Sequence, residues 1–172
     1  LGPFGGSTGK VYCTTRTGGG GATYISAATN NSTFGLDVWH HVVLTYDGLN
    51  LVDGVKIYID SVDQTNANYA GNGVLYPANP GSTPGLSRDS GAGPTGANPF
   101  KGYMDEPSWW NKTLSPAEIV AIYNGGVPTN LAGLDGLVCW YRIGEDPFDN
   151  LASGGVIIDQ VGSNNATPVN TI

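Results

Sequence analysis

Apolar and polar residues alternate along much of the chain with the two-residue period of β-strands. The segment VKIYID (55–60) places Val55, Ile57 and Ile59 on one face and three polar or amphipathic residues on the other, which predicts a half-buried strand. The segment WHHVVLTYDG (39–48) is largely apolar on both faces, which predicts a central strand that is covered on both sides. Shorter runs of strand-forming residues lie at 11–15, 22–27, 137–143 and 156–161.

One segment is predicted to form a strand, a turn and one short helix, FKGYMDEPSWWNKTLSPAEIVAIYNGG (100–126). Ser115 stands where an N-cap belongs, Pro116 follows at the first helical position, and Glu118 completes a capping box. Leu114 and Ile119 have the spacing of a hydrophobic staple, and Asn-Gly-Gly ends the helix. So short a helix is unstable alone, so we expect it to pack against a β-sheet.

The composition favours an all-β protein with many turns. Glycine and proline contribute 27 and 11 of the 172 residues, and only 12% of residues are charged. Residues 66–98 are rich in Gly, Asn, Pro and Ser, which predicts either a long loop or short edge strands joined by turns.

The net charge of −7 argues against binding to nucleic acid or to an anionic membrane surface, because both would repel the chain. It is compatible with glycans or divalent cations, and it is also typical of proteins whose acidic surface serves only solubility. No apolar run is long enough to span a bilayer. The chain opens without an initiator Met or a signal peptide, so we expect a fragment of a longer protein. Cys13 and Cys139 are predicted to be two buried thiols, with a disulfide as the alternative.

Three segments in order, WHHVVLTYDG, VKIYID and FKGYMDEPSWWNKTLSPAEIVAIYNGG, resemble the laminin-G-like (LamG) type of concanavalin A-like domain over about residues 11–126. The resemblance implies an all-β, antiparallel jelly-roll β-sandwich with one short helix. Two positions depart from the family pattern. Pro107 replaces a β-branched residue, which predicts an edge strand or a bulge, and Ser61 replaces a turn glycine.

The tail from Leu137 resembles the opening of such a module, where a strand with Trp is followed by Asp-x-x-Gly-x-x-x-Ala. We therefore predict a LamG-like module at 1–126 that lacks its first strands, a linker at 127–136, and at 137–172 either the start of a second module or strands that complete a sandwich. Those strands could belong to the same copy or be exchanged with a neighbouring copy, so a homo-oligomer is one expectation. The tail is similar to tandem modules of bacteriophage virion proteins.

No residue pattern predicts catalysis, so we do not expect an enzyme. A glycosidase needs two carboxylates flanking one sugar, and the chain has three glutamates, Glu106, Glu118 and Glu145. Glu118 is assigned to the capping box. Asp105 and Glu106 are adjacent, so in a strand their side chains would point to opposite faces. His40 and His41 are adjacent too, which is not the spacing of a chelating pair on a strand.

The candidate binding residues are aromatic and polar. For glycan binding we select Tyr76, Asn79, Arg88 and Trp110. The resemblance makes calcium the candidate cofactor, and Asp146 and Asp149 are its candidate ligands, with turn-forming, solvated aspartates as the alternative.

The sequence thus predicts a non-catalytic surface module that binds glycans or neighbouring subunits. We expect it to be a decoration, fibre or adhesion protein on a virion surface or in another extracellular setting. Its partners would be glycans or other virion and cell-surface proteins, without nucleic acid or membrane insertion. The alternative is a glycan-active hydrolase of the concanavalin A-like superfamily.

Overall fold

The computed structural model describes residues 11–16, 24–30, 38–48, 52–70 and 102–168. These residues fall into two compact units, one containing the described residues up to 70 and the other those from 102 onward. Every strand pair in the described ranges is antiparallel, and the same ranges contain one α-helix, as predicted. No helix in these ranges combines the length and apolar character that a membrane span requires.

The described residues of the first unit form the strands β1 (Tyr12–Arg16), β2 (Tyr24–Thr29), β3 (Val42–Tyr46), β4 (Val55–Ile59), β5 (Val62–Asp63) and β6 (Thr65–Ala70). These strands make two three-stranded antiparallel sheets, with the strand orders β1-β2-β6 and β3-β4-β5. A short 3-10 turn, Val52–Gly54, precedes β4.

The two sheets of this unit bury a common apolar core. Val11 and Ala27 come from the first sheet and its approach, and Val55, Ile57 and Ile59 come from β4. All five are at most 4% exposed. The alternation predicted for β4 is therefore confirmed on its core face, because its three aliphatic residues are the ones that lie inside.

Two details of these strands differ from the prediction. Tyr58 was expected to face outward, yet it is only 9% exposed. Leu44 of β3 is 40% exposed, and within the described residues β3 pairs only with β4. The prediction that β3 is covered on both faces is therefore wrong at Leu44, although Val42 and Tyr46 on the same face pack against the core. Among the described strands of this sheet, β4 holds the central position.

The turn between β4 and β5 has two central residues, Asp60 and Ser61, between the paired residues Ile59 and Val62. Both central residues have positive φ, 50° and 68°, which is the signature of a type I′ hairpin turn. The backbone is thus the one that a glycine would favour, and Ser61 adopts it at a steric cost.

Asp60 also ties this turn to the start of β3. Its Oδ2 lies 2.7 Å from Nδ1 of His40, and its Oδ1 accepts a hydrogen bond of 2.9 Å from the backbone N–H of His41. Burial lowers the pKa of His41, while the negative charge of Asp60 acts in the opposite direction. Both histidines therefore contact Asp60 at one end of the β3–β4 pair, which indicates a structural role for them.

The second unit contains β7 (Ser108–Trp110), α1 (Pro116–Tyr123), a 3-10 turn (Asn124–Gly126) and β8 (Leu137–Trp140). β7 pairs with β8 with a register shift between Trp109 and Trp110. Pro107 precedes β7 and uses its carbonyl, which accepts a hydrogen bond of 3.0 Å from the N–H of Tyr141. The predicted bulge is confirmed, and the proline lies where its missing N–H removes no bond from the ladder.

Helix α1 begins as the sequence predicts. The N–H of Glu118 donates to Oγ of Ser115 over 3.3 Å, and the N–H of Ser115 donates to Oε2 of Glu118 over 2.8 Å, which completes the capping box. Lys112 contributes a further contact, with its Nζ 2.8 Å from Oε1 of Glu118. The two staple residues, Leu114 and Ile119, are 6% and 0% exposed.

The second unit also extends across the segment predicted to be a linker. Residues 127–136 connect α1 to β8, and β8 pairs with a strand of the predicted first module. The described residues 102–168 are thus one compact unit. Whether the tail also opens a further module stays a prediction.

Candidate functional site

The second unit contains a cavity of about 450 Å³ that opens to solvent. Its walls carry carboxylate, guanidinium, amide and hydroxyl groups around one indole ring. The lining residues are Glu106, Pro128, Thr129, Asn130, Ala132, Trp140, Arg142 and Gln160.

Trp140 ends strand β8 and is held from three sides. Its backbone N–H donates to Oδ1 of Asp159 over 3.1 Å, and its carbonyl accepts from the N–H of Gln160 over 2.8 Å. Its indole Nε1–H donates to Oε2 of Glu106. The side chain is only 4% exposed, so its single polar atom is paired, as burial requires.

Arg142 lies over this ring. The guanidinium carbon is 5.7 Å from the centroid of the Trp140 ring, within the range of a cation–π contact. Nε of Arg142 is 3.4 Å from Oε1 of Glu106, and the far end of the guanidinium pairs with Glu145. The same carboxylates form a cluster with Asp105, in which one oxygen from each residue lies within 4.8 Å of the others. The guanidinium already supplies positive charge to two of the three carboxylates.

The backbone at Glu106 is unusual for a residue with a side chain. Its φ is 53°, in the left-handed region, and its N–H donates to Oδ1 of the preceding Asp105 over 2.9 Å. The prediction that these adjacent acids point to opposite faces of a strand is wrong, because they precede β7 and the left-handed residue breaks the strand alternation. Their carboxylates consequently lie close together.

Gln160 forms another wall of the cavity, and Asp146 holds its amide group. Nε2 of Gln160 donates to Oδ2 of Asp146 over 3.0 Å and approaches the carbonyl of Ile158 at 3.4 Å. Oδ1 of Asp146 accepts from the N–H of Phe148 over 2.9 Å. The amide of Gln160, and then the backbone of Phe148, lower the pKa of Asp146.

Asp149 braces the same loop region. Its Oδ2 accepts from the N–H of Gly144 and its Oδ1 from the N–H of Ile158, both over 2.8 Å. Asp146 and Asp149 therefore each accept N–H bonds on both oxygens, which is the behaviour of turn-forming aspartates. Their role as metal ligands stays a prediction.

Asp159 organises the loop beyond the cavity. Besides Trp140, the backbone N–H groups of Val161 and Asn164 donate to its carboxylate over 3.0 and 3.1 Å. Burial raises the pKa of Asp159, but these backbone hydrogen bonds, that of Trp140 foremost, outweigh it and hold the pKa below its usual range. A Cβ at Gly162 would lie 3.1 Å from Oδ2 of Asp159, so a glycine suits this approach. The Asp-x-x-Gly spacing noted in the sequence thus has a structural cause.

The predicted glycan-binding residues do not coincide with this cavity. Tyr76, Asn79 and Arg88 lie outside the described residues. Trp110 is half-buried in β7, its Nε1 donates to Oγ of Ser108 over 3.1 Å, and it does not line the cavity. Cys139, which precedes Trp140 in the sequence, is a buried free thiol. The alternative prediction was a disulfide with Cys13, whose side chain lies outside the described residues.

The sequence did not indicate the cavity wall, because Thr129 and Asn130 lie in a predicted linker and Arg142 and Gln160 lie in a tail predicted either to open a second module or to complete a sandwich. One available signal was the Asp-x-x-Gly pattern at residues 159–162, which includes Gln160 and indicates a structured loop there. The isolated arginine was another, because only 7 residues of the whole chain are basic.

Comparison with known families gave one match. The family model Laminin_G_3, described as the Concanavalin A-like lectin/glucanases superfamily, matches residues 4–120. Neither the curated proteins nor the solved structures contain a match to the chain. The laminin-G-like resemblance and the fold class predicted from the sequence are confirmed by this match. Of the cavity residues it includes Glu106, whereas those from Pro128 onward follow the matched range.

Proposed function

The chain belongs to the concanavalin A-like lectin/glucanase superfamily, and we propose that it is a non-catalytic binding module that takes glycans in the cavity of the second unit. The supporting observation is the lining of that cavity, which combines an aromatic floor with amide, hydroxyl and guanidinium groups. Its volume of about 450 Å³ lies within the usual range for small-ligand sites.

Glycans suit such a lining because each sugar hydroxyl both donates and accepts hydrogen bonds. The amides of Gln160 and Asn130 together supply an acceptor and a donor, and Arg142 offers further donors. The exposed fraction of the Arg142 side chain is 43%, so its guanidinium is accessible from solvent while it contacts the Trp140 ring.

The arrangement of the acids favours binding over hydrolysis. A glycosidase places two carboxyl groups on either side of the scissile bond. Of the clustered acids only Glu106 lines the cavity, and Arg142 pairs with both Glu106 and Glu145, which supports a binding role over a catalytic one.

One observation favours a hydrolase as the second candidate function. The oxygens of Asp105, Glu106 and Glu145 lie within 4.8 Å of one another, close to the separation of about 5 Å in retaining glycosidases. Release of reducing sugar from bound glycans, lost in Glu106→Gln, would establish this function and contradict the proposed one.

The proposal assigns the module to a virion surface or another extracellular protein, with glycans or neighbouring subunits as partners. Its support is the resemblance of the tail to tandem virion modules and the acidic, charge-poor composition. Calcium remains the candidate cofactor. The oxygens of Asp146 and Asp149 accept N–H bonds, so calcium would have to displace these bonds to bind there.

A glycan array probed with the full chain, with calcium and then with EDTA, tests the proposal. We expect binding that Asn130→Ala weakens at least about 10-fold, since a cavity hydrogen bond is lost. Asn66→Ala, at an exposed position on β6 of the first unit, is the matched control and should leave binding unchanged. A folded protein that binds no glycan in either condition contradicts the proposal. Loss of binding in EDTA alone would assign calcium a role.

A further inference from the structure

We propose that the cavity selects uncharged sugars, that Gln160 sets this selectivity, and that Asp146 is the positioning residue that fixes the orientation of the Gln160 amide. The inference rests on the proposed glycan-binding function and names the class of glycan. It depends on which donor and acceptor atoms of the cavity side chains already form hydrogen bonds within the second unit, and which atoms are left for a ligand.

The orientation of the Gln160 amide is determined by its two partners. The carboxylate of Asp146 and the carbonyl of Ile158 can only accept hydrogen bonds, and they lie 3.0 and 3.4 Å from the same end of the amide. That end must therefore be the NH₂ group. Both of its hydrogens are used, so the carbonyl oxygen Oε1 is the group that Gln160 can offer to a ligand.

The other polar residues of the cavity are fixed by the same reasoning. Oδ1 of Asn130 accepts the N–H of Ala132 over 3.0 Å, which leaves the NH₂ group of Asn130 as a donor. Oγ1 of Thr129 donates to the carbonyl of Ile122 over 3.2 Å, which leaves its lone pairs as acceptors. Arg142 has donors only.

The cavity therefore presents acceptors at Gln160 and Thr129 and donors at Asn130 and Arg142. Neutral hydroxyl groups can satisfy all four. An anionic group only accepts, so it would leave Oε1 of Gln160 unpaired. An ammonium group only donates, so it would leave the NH₂ group of Asn130 unpaired. The opposite charges of Glu106 and Arg142, whose Oε1 and Nε lie 3.4 Å apart, offset each other, so charge alone favours neither kind of ligand.

Asp146 matters because an acceptor-only partner is what holds this orientation. Asparagine at this position carries its own NH₂ group and can donate to Oε1 of Gln160, so only the longer contact of 3.4 Å to the carbonyl of Ile158 would still oppose a turn of the Gln160 amide. Its NH₂ group would then become available to an anionic ligand. Asp146→Asn should thus relax selectivity, which is a different effect from a uniform loss of binding. The hydrogen bond from the Gln160 amide stabilises the ionised carboxylate of Asp146 and lowers its pKa.

The experiment compares a matched pair of ligands on the full chain at pH 7. The first ligand is the best neutral glycan from the array, and the second is the same glycan with its terminal C6 hydroxymethyl group oxidised to a carboxylate. We expect wild-type protein to bind the neutral form at least about 10-fold tighter, because the acid leaves polar groups unpaired. In Asp146→Asn this ratio should fall to about 3-fold or less. Asp53→Asn, exposed in the first unit, is the control and should keep the wild-type ratio.

Three outcomes are distinguishable. Wild-type protein that binds the acidic form as tightly as the neutral form overturns the inference while the glycan-binding function stands. So does an Asp146→Asn protein that loses affinity for both forms equally, because Asp146 would then only stabilise the loop. Thermal unfolding of each variant separates that result from misfolding, and Gln160→Leu should lose the preference even where the loop is intact. A folded wild-type protein that binds no glycan at all overturns the proposed function itself.

Discussion

The indole Nε1 of Trp140 donates a hydrogen bond to the carboxylate of Glu106, 34 residues earlier in the chain. This bond joins the segment before β7 to the end of β8, so Glu106 supports the second unit as well as lining its cavity. Glu106→Ala would leave a buried N–H without an acceptor. We expect it to lower the free energy of unfolding of this unit by about 1–3 kcal/mol, measured by urea unfolding.

Glu106→Gly separates the contribution of the carboxylate from that of the backbone. Glycine loses the same hydrogen bond but tolerates the φ of 53° without steric cost. The glycine variant should therefore be more stable than the alanine variant, by roughly 0.5–1 kcal/mol. An alanine variant as stable as the wild type would contradict the assigned role of the bond.

Asp159→Asn should be among the most destabilising single changes in the second unit. The carboxylate accepts the backbone N–H groups of Trp140, Val161 and Asn164, and an amide would turn its own NH₂ group toward some of these donors. We expect a loss of roughly 2–4 kcal/mol in the free energy of unfolding. The exposed Asp53→Asn is the control and should change it by less than about 0.5 kcal/mol.

Ser61→Gly should stabilise the first unit. Ser61 has a φ of 68° in a type I′ turn, where a glycine avoids the clash of Cβ with the backbone. Part of this gain is offset because glycine has more freedom in the unfolded chain, so we expect a net increase of roughly 0.5 kcal/mol in the free energy of unfolding. Ser61→Val, with a β-branched side chain, should lower it instead. A glycine variant less stable than the wild type would show that the serine side chain outweighs the turn.

The stability of the first unit should depend on pH through His41. Burial lowers the pKa of His41 below 6.5 in the folded state, so the unfolded state binds the proton more readily. The resulting stability is fully present above the unfolded pKa of about 6.5 and is lost as the pH falls toward the lower folded value. Urea unfolding at a series of pH values from about 7.5 to 5 should show this decrease. His41→Gln should flatten the curve over the same window, and an unchanged slope would exclude His41 as its cause.

The elements that local chemistry dictates were predictable from the sequence. The capping box of Ser115 and Glu118 involves residues three apart, and the aliphatic face of β4 follows from a two-residue period. The outward face of β4 was less predictable, because the burial of Tyr58 depends on what packs over it.

The cavity was not predictable in the same way, because it depends on long-range pairing. Its floor forms when Trp140 meets Glu106, and one wall forms when Gln160 meets Asp146, 14 residues earlier. The left-handed backbone of Glu106 is equally invisible in the sequence, since glutamate rarely adopts it. Strand alternation therefore gave the wrong directions for the Asp105–Glu106 pair. Asp146 and Asp149 hold backbone and amide groups, as the turn-forming alternative predicted, and their role as metal ligands stays a prediction.

Because the guanidinium of Arg142 lies over the indole of Trp140, the intrinsic fluorescence of Trp140 can serve as a probe of the cavity. On the proposed function, a sugar that enters the cavity would change the charge and solvent next to the buried ring, and the emission of Trp140 should respond to both. A Trp140→Phe variant identifies this contribution among the four tryptophans of the chain. Occupancy of the cavity can thus be followed by intrinsic fluorescence on unlabelled protein, in the same sample in which unfolding is measured.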